Sequence, residues 1–341
     1  MNKKRHDEIN KLSVSQQFVA QAEENARKDK IRRYSPIILL VIMTAIGGIF
    51  QKNFFSWANI VNIMFQMSIP LVISVGLSFV LLLGSIDLSI EGVMGFAGSL
   101  VAFLVVNNQN SNNYGILGVI ITILVGLVVG AVVGFLHTKG KIASFIVSYA
   151  VGCIMTGAAV FIYRGTPIQV KDSMFITISQ GRFLGIPYIT LISFAVFIVG
   201  AIIMNYTAFG RAVFAIGDNE SAAASTGINI ARTKIMVYAL SGCTAAIAGV
   251  LQCMRLKLGQ SDLGLNQMFP VVTAIVLGGG SVSGGKGGSL QSFVGVLIYA
   301  ELANWLTLMG VDTNLKKVIQ GIIIIIAVTL TVEHNRRTVV K

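Results

Sequence analysis

Two carboxylates, Asp87 and Glu91, stand inside otherwise apolar sequence. They are four residues apart, which puts them on one face if the chain is helical there. A charge at membrane depth costs on the order of a few kcal/mol and faces a cavity or a partner. Two like charges on one face repel, so at least one must be hydrated, paired or capping. Asp87 lies in a Gly- and Ser-rich break, Gly84-Ser85-Ile86-Asp87-Leu88-Ser89. There its carboxylate can accept backbone N–H groups, and this capping role stands level with contact to a passing solute. Asn59, Asn62 and Gln66 follow i, i+3, i+7 spacing, with Ser74 and Ser78 continuing roughly along that side. Such a stripe suits a hydroxyl-rich ligand and suits hydrogen bonding between helices equally well. Glu301 and Asn304 form a similar pair on a late apolar run. The candidates for a substrate pathway are therefore Asn62, Gln66, Asp87, Ser89, Glu91, Glu301 and Asn304.

Covalent chemistry finds no support. His6, His137 and His334 are scattered, and Cys153, Cys243 and Cys253 sit in apolar runs without a CxxC pair. Neither a catalytic residue nor a metal site is expected. The stretch 280–287, Gly-Ser-Val-Ser-Gly-Gly-Lys-Gly, nearly matches a phosphate loop and follows a strand-like run at 271–277. Gly287, however, occupies the position whose hydroxyl must hold Mg²⁺. If ATP drives this protein, another subunit binds the ATP.

The elements that position these residues are membrane helices. Of 341 residues, 54% are hydrophobic and 12% charged, with mean hydropathy +0.78. This excludes a soluble globular protein and a disordered one. The fold class expected is an all-α polytopic membrane protein. Ten apolar segments are expected, at 35–50, 58–83, 88–106, 115–136, 142–163, 186–206, 235–254, 270–279, 289–309 and 318–332, with eight or nine full spans as a fallback. The segment 270–279 is too short to span and is a candidate for re-entry. The net charge of +12 is a topology signal here and does not point to nucleic acid, because the basic residues lie between apolar runs. With the amino terminus inside, 18 of the 26 Lys and Arg fall on the inner side. The chain thus divides into a cytoplasmic arm (1–34), a membrane domain (35–332) and a cytoplasmic tail (333–341). The break at 83–89 has an echo at 277–283. Each is an apolar run interrupted by Gly and Ser and then resumed. Paired interruptions in two halves point to a transporter's midplane site, and two ordinary loops in a Gly-rich chain would look the same.

The longest inner loop, 207–234, carries a helix signature. Asp218 or Asn219 can cap its start, the alanines at 222–224 favour helix, and Gly227 can cap its end. A helix of about two turns is unstable alone and must pack on something, either its own membrane domain or a partner.

Three motifs then carry a resemblance that covers nearly the whole chain after residue 34. They are Gly84-Ser85-Ile86-Asp87-Leu88-Ser89; Phe209-Gly210-Arg211 leading to Gly217-Asp218-Asn219-Glu220-Ser221-Ala222-Ala223 and Gly227-Ile228-Asn229; and Leu277-Gly278-Gly279 with Gly284-Gly285-Lys286-Gly287. The chain resembles permeases of bacterial ABC importers, in the branch for ribose, other monosaccharides and autoinducer-2. The resemblance implies that the Asn-Glu-x-Ala-Ala loop is a coupling helix fitting the cleft of an ATPase subunit. Gly217, Asn219, Glu220, Ala222, Ala223 and Gly227 inherit coupling to the ATPase. It further implies two ATPase subunits holding ATP and Mg, an extracytoplasmic sugar-binding protein, and a second permease copy, identical or homologous. The expected location is the bacterial plasma (inner) membrane, surrounded by lipid, with both termini cytoplasmic and no cofactor in this chain. The family pattern often carries Gly near position 91, where this chain has Glu. The rival reading is a secondary transporter or channel without an ATPase. It requires an ion relay of paired ionisable residues through several spans, for which only Asp87, Glu91 and Glu301 qualify.

Overall fold

The computed structural model describes residues 34–322, apart from 50, 52, 313, 317 and 320. The arm before Tyr34, most of the last expected segment at 318–332, and the tail at 333–341 lie outside the described residues. The apolar runs become helices close to the expected bounds. They are α1 (Tyr34–Ile49), α2 (Trp57–Leu82), α3 (Ile90–Leu104), α4 (Gly115–Lys139), α5 (Ser144–Tyr163) and, after a short helix α6 (Ser173–Gln180), α7 (Tyr188–Tyr206). The loop 207–234 holds two helices, α8 (Ala208–Asp218) and α9 (Glu220–Ser225). It also holds the first turn of α10 (Ile230–Leu256), which starts early because the Asn229 side chain accepts the Arg232 N–H. Last come α11 (Met268–Leu277) and α12 (Ser289–Leu308). The 271–277 run before the phosphate-loop look-alike is therefore helix, and that resemblance loses its strand.

Length separates whole spans from broken ones. At 26 residues, α2 measures about 39 Å, enough for a hydrocarbon core of about 30 Å. With 15 and 10 residues, α3 and α11 measure about 22 and 15 Å. Each is completed by chain that is not α-helical, 84–89 before α3 and, before α11, 258–267, which includes a 3-10 turn at Ser261–Gly264. The two composite segments run antiparallel. Gly259 packs on Gly98 and Ser99, Ser261 on Gly95, and Gly264 on Glu91, so the second segment descends α3 from its end to its start. The counterpart of the break at 84–89 is thus 258–267. Of the two readings open to the echo at 277–283, the fold supplies the ordinary loop, which joins α11 to α12. The run 258–267 also carries Gly259, Ser261 and Gly264, and its Asp262-Leu263 repeats Asp87-Leu88, a signal the sequence reading missed.

Burial sorts the helices. Of the most apolar window of α2, 89% is buried, against 28% for α4, α5 and α7. So α2 is the central post, and the other three leave most of their apolar surface on the outside of the bundle. The post is packed by α10, α12 and α7. α4 lies against α10 through glycines, since a methyl on Gly130 or Gly242 would collide with the facing backbone. At one end of the bundle, two strands, β1 (Ile168–Gln169) and β4 (Leu258–Gly259, numbered after the β2–β3 hairpin at 182–187), pair antiparallel. Asn107 bridges to Val170 beside them. The loops at 82–84, 217–219 and 283–285 gather at the other end.

Candidate functional site

The carboxylates at 87 and 91 serve the two breaks. Unwound backbone at membrane depth needs partners for its N–H groups. Ser148 of α5 accepts the Leu88 N–H at 2.9 Å. Asp87, fully buried, accepts the Ser89 N–H at 2.9 Å and the Ser89 hydroxyl at 2.6 Å through one oxygen. Through the other it accepts the Ser241 hydroxyl of α10 at 2.7 Å. Glu91 Oε1 accepts the N–H of Met268, first residue of α11, at 3.1 Å. Two helix N-termini, each with a partial positive charge, therefore meet in the interior beside two carboxylates of opposite sign. This arrangement explains why the acids stand four residues apart in apolar sequence. Asp87 thus accepts one backbone N–H, that of Ser89 just before α3.

The stripe on α2 converges on one residue. Asn304 of α12 accepts from Asn62 Nδ2 at 2.9 Å and from Gln66 Nε2 at 3.2 Å, and donates to Asn59 Oδ1 at 2.9 Å. Glu301, one turn earlier and buried, accepts the Thr44 hydroxyl of α1 at 3.2 Å. Asn62, Gln66 and Asn304 thus form one cluster, with Glu301 a turn away on α12 and bonded to Thr44, while Asp87, Ser89 and Glu91 lie together elsewhere. Asn62 also lines a cavity of about 420 Å³, with Phe65 and with Ser179, Gln180 and Arg182 from the connector before α7. Those three polar residues were missed in the sequence, where nothing tied an outer loop to α2. Behind Phe65, the Arg255 guanidinium lies 4.2 Å from the ring centre.

At the opposite end, α9 is capped as its residues require. Asn219 Oδ1 accepts the Ala222 N–H at 3.0 Å, and Gly227 takes the left-handed conformation with φ +83°. Both Glu220 oxygens bind Lys234 at 2.9 Å, which ties α9 to the start of α10. Ser221, Ala222, Ala224 and Ser225 are exposed, while Ala223 is buried against its own chain. Gly217 also faces inward, toward Leu82 and Gly285. Of the six residues expected at a partner contact, Asn219, Glu220, Ala222 and Gly227 are exposed, the first two also shaping the helix, and Gly217 and Ala223 lie against the rest of the chain.

Comparison with known proteins adds the family. A family described as the permease component of the branched-chain amino acid transport system matches residues 59–328. The ribose import permease protein RbsC of Bacillus subtilis (strain 168) is 35% identical over 302 residues, covering 88% of this chain and 92% of that protein. RbsC of Escherichia coli (strain K12) is 31% identical over 86% of this chain and 91% of its own length. The L-arabinose ABC transporter permease protein AraH of Azospirillum brasilense is 30% identical over 91% of each chain. No solved structure matches significantly.

Proposed function

The chain belongs to the family of branched-chain amino acid transport system permeases, and on that footing we propose that it is the membrane-spanning permease subunit of an ATP-driven importer for a ribose-like monosaccharide. It is a polytopic membrane protein and performs no catalysis itself. The observation that carries the reading is α9: a capped helix of six residues, seated by Ala223 and Lys234, whose small residues Ala222 and Ala224 face outward. Small side chains let another backbone approach closely, and a helix this short gains its stability from what it packs on. The similarity to ribose and arabinose permeases over most of the chain supports the substrate class.

In this reading α9 and both termini face the cytoplasm of a bacterium, in the inner membrane. Two ATPase subunits, which hold ATP and Mg, each receive one α9. A second permease copy completes the path, and a binding protein delivers the sugar at the end where β1 pairs with β4. Closure of the ATPases displaces the α9 helices, and the packed helices rock about the path. The two carboxylate caps keep the broken segments intact during that motion. A proton or sodium relay is disfavoured, because the carboxylates divide between two separate places and each already has partners.

The test is uptake of radiolabelled D-ribose and L-arabinose into proteoliposomes holding the permease and its ATPase. Uptake should require ATP on the α9 side and binding protein on the other. Uptake sustained by a proton or sodium gradient without ATP would place the chain among secondary transporters.

A further inference from the structure

One residue separates Gly217 from Asn219, the cap of α9, and the atoms nearest to where a side chain at Gly217 would start are backbone. A methyl group there would collide with the Leu82 carbonyl oxygen and stand 3.0 Å from the Gly285 nitrogen. The same carbonyl, at the last residue of α2, accepts the Gly285 N–H at 2.9 Å. Gly285 has φ +70°, and a Cβ there would lie 3.0 Å from the Gly217 carbonyl oxygen and 3.3 Å from the Asp218 Cα. Three backbones, from α8, the end of α2 and the loop before α12, therefore meet with no side chain between them. Side chains can yield by changing rotamer, whereas a backbone-on-backbone contact transmits displacement stiffly. One turn below, the Ser78 and Ser292 hydroxyls lie 2.6 Å apart and join α2 to α12. Phe209 of α8 stacks on Phe79 of α2 with ring centres 5.7 Å apart.

We propose that Gly217 is the positioning residue through which displacement of α9 reaches α2 and α12 together, and that it forms no part of the surface that meets the ATPase. The inference rests on α9 being the docking helix. It assigns a separate step, transmission after docking, to the contact of Gly217 with Leu82 and Gly285.

The experiment compares Gly217→Ala and Ala222→Arg in the complete importer, reading ATPase co-purification, ATP hydrolysis and sugar moved per ATP. Gly217→Ala should retain the ATPase and hydrolyse ATP while sugar moved per ATP falls at least tenfold, and Gly285→Ala should do the same. Parental sugar per ATP in Gly217→Ala overturns the proposal. So does loss of the ATPase from that variant, since Gly217 would then belong to docking. Ala222→Arg examines docking separately, so failure of the parent reading is recognisable by itself. Should the alanine variants not reach the membrane, the exposed pair Asp218→Cys and Lys286→Cys can be joined by a short, reducible cross-linker. Transport should continue unchanged, because the contact holds through the cycle. Transport that stops on cross-linking and returns on reduction shows that the contact opens, and overturns the proposal.

Discussion

Glu91 and Met268 are 177 residues apart in sequence, and the carboxylate of the first accepts the backbone N–H of the second at 3.1 Å. That bond joins the starts of two half-helices running in opposite directions. It predicts a graded response to substitution. Glu91→Gln keeps an oxygen acceptor and should assemble and transport within a factor of about three of the parent. Glu91→Ala leaves the Met268 N–H without its acceptor, a loss of about 1.5–3 kcal/mol for a charged hydrogen bond. Thermal unfolding in detergent should show that variant shifted down and the Gln variant close to the parent. Equal Tm values for all three would remove the capping role.

Asp87 should behave similarly, with a stricter demand because it is fully buried. Asp87→Asn keeps the oxygen that serves Ser89 and offers an amide N–H to the Ser241 oxygen, so the permease should assemble. Asp87→Leu strands the Ser89 N–H and the Ser241 hydroxyl, and should lower membrane yield severely. Yield of the Leu variant matching that of the Asn variant, measured by fluorescence-detected size exclusion, would contradict the assignment.

The Asn304 cluster holds the start of α2 against the second half of α12. Asn304→Ala removes three interhelical bonds at about 0.6 kcal/mol each, a sum of about 2 kcal/mol. For a chain of 341 residues Tm should fall by about 3 °C. Asn304→Asp keeps an acceptor for Asn62 and Gln66, and should recover most of the shift.

Topology is open to direct labelling. In a background with exposed Cys153 replaced by Ser, Lys171→Cys should react with an impermeant thiol reagent from outside, and Ser221→Cys only after the membrane is permeabilised. Both side chains are exposed in the fold. The reverse pattern would invert the orientation.

The helices were legible because apolar run length is a local property, as for 58–83, which became Trp57–Leu82. The α9 caps were legible for the same reason, since Asn219 and Gly227 act within one turn of their own position. The partners of the site residues were not. Ser241 lies 154 residues from Asp87, and Asn304 lies 242 from Asn62, distances at which spacing carries no signal. The α2 stripe therefore pointed to a ligand and to another helix equally, and the fold turns much of it toward α12. Likewise, Ala222, Ala223 and Ala224 are equivalent in sequence, and only packing against α8 and α10 separates the buried Ala223 from its exposed neighbours. α8 itself was missed, although Phe209, Val213 and Ile216 mark one apolar face behind the Thr207 cap.

The most direct measurement of the central claim is co-purification of the ATPase with Ala222→Arg, alongside sugar uptake. Ala222 is exposed on α9, so the variant should insert and unfold as the parent does. A bulky charge in a close helix contact costs on the order of a few kcal/mol, enough to reduce docking at least tenfold. The account predicts a permease present at parental level, with little ATPase bound and uptake near background. Parental amounts of bound ATPase together with parental uptake would show that α9 is not where this permease meets the subunit that drives it.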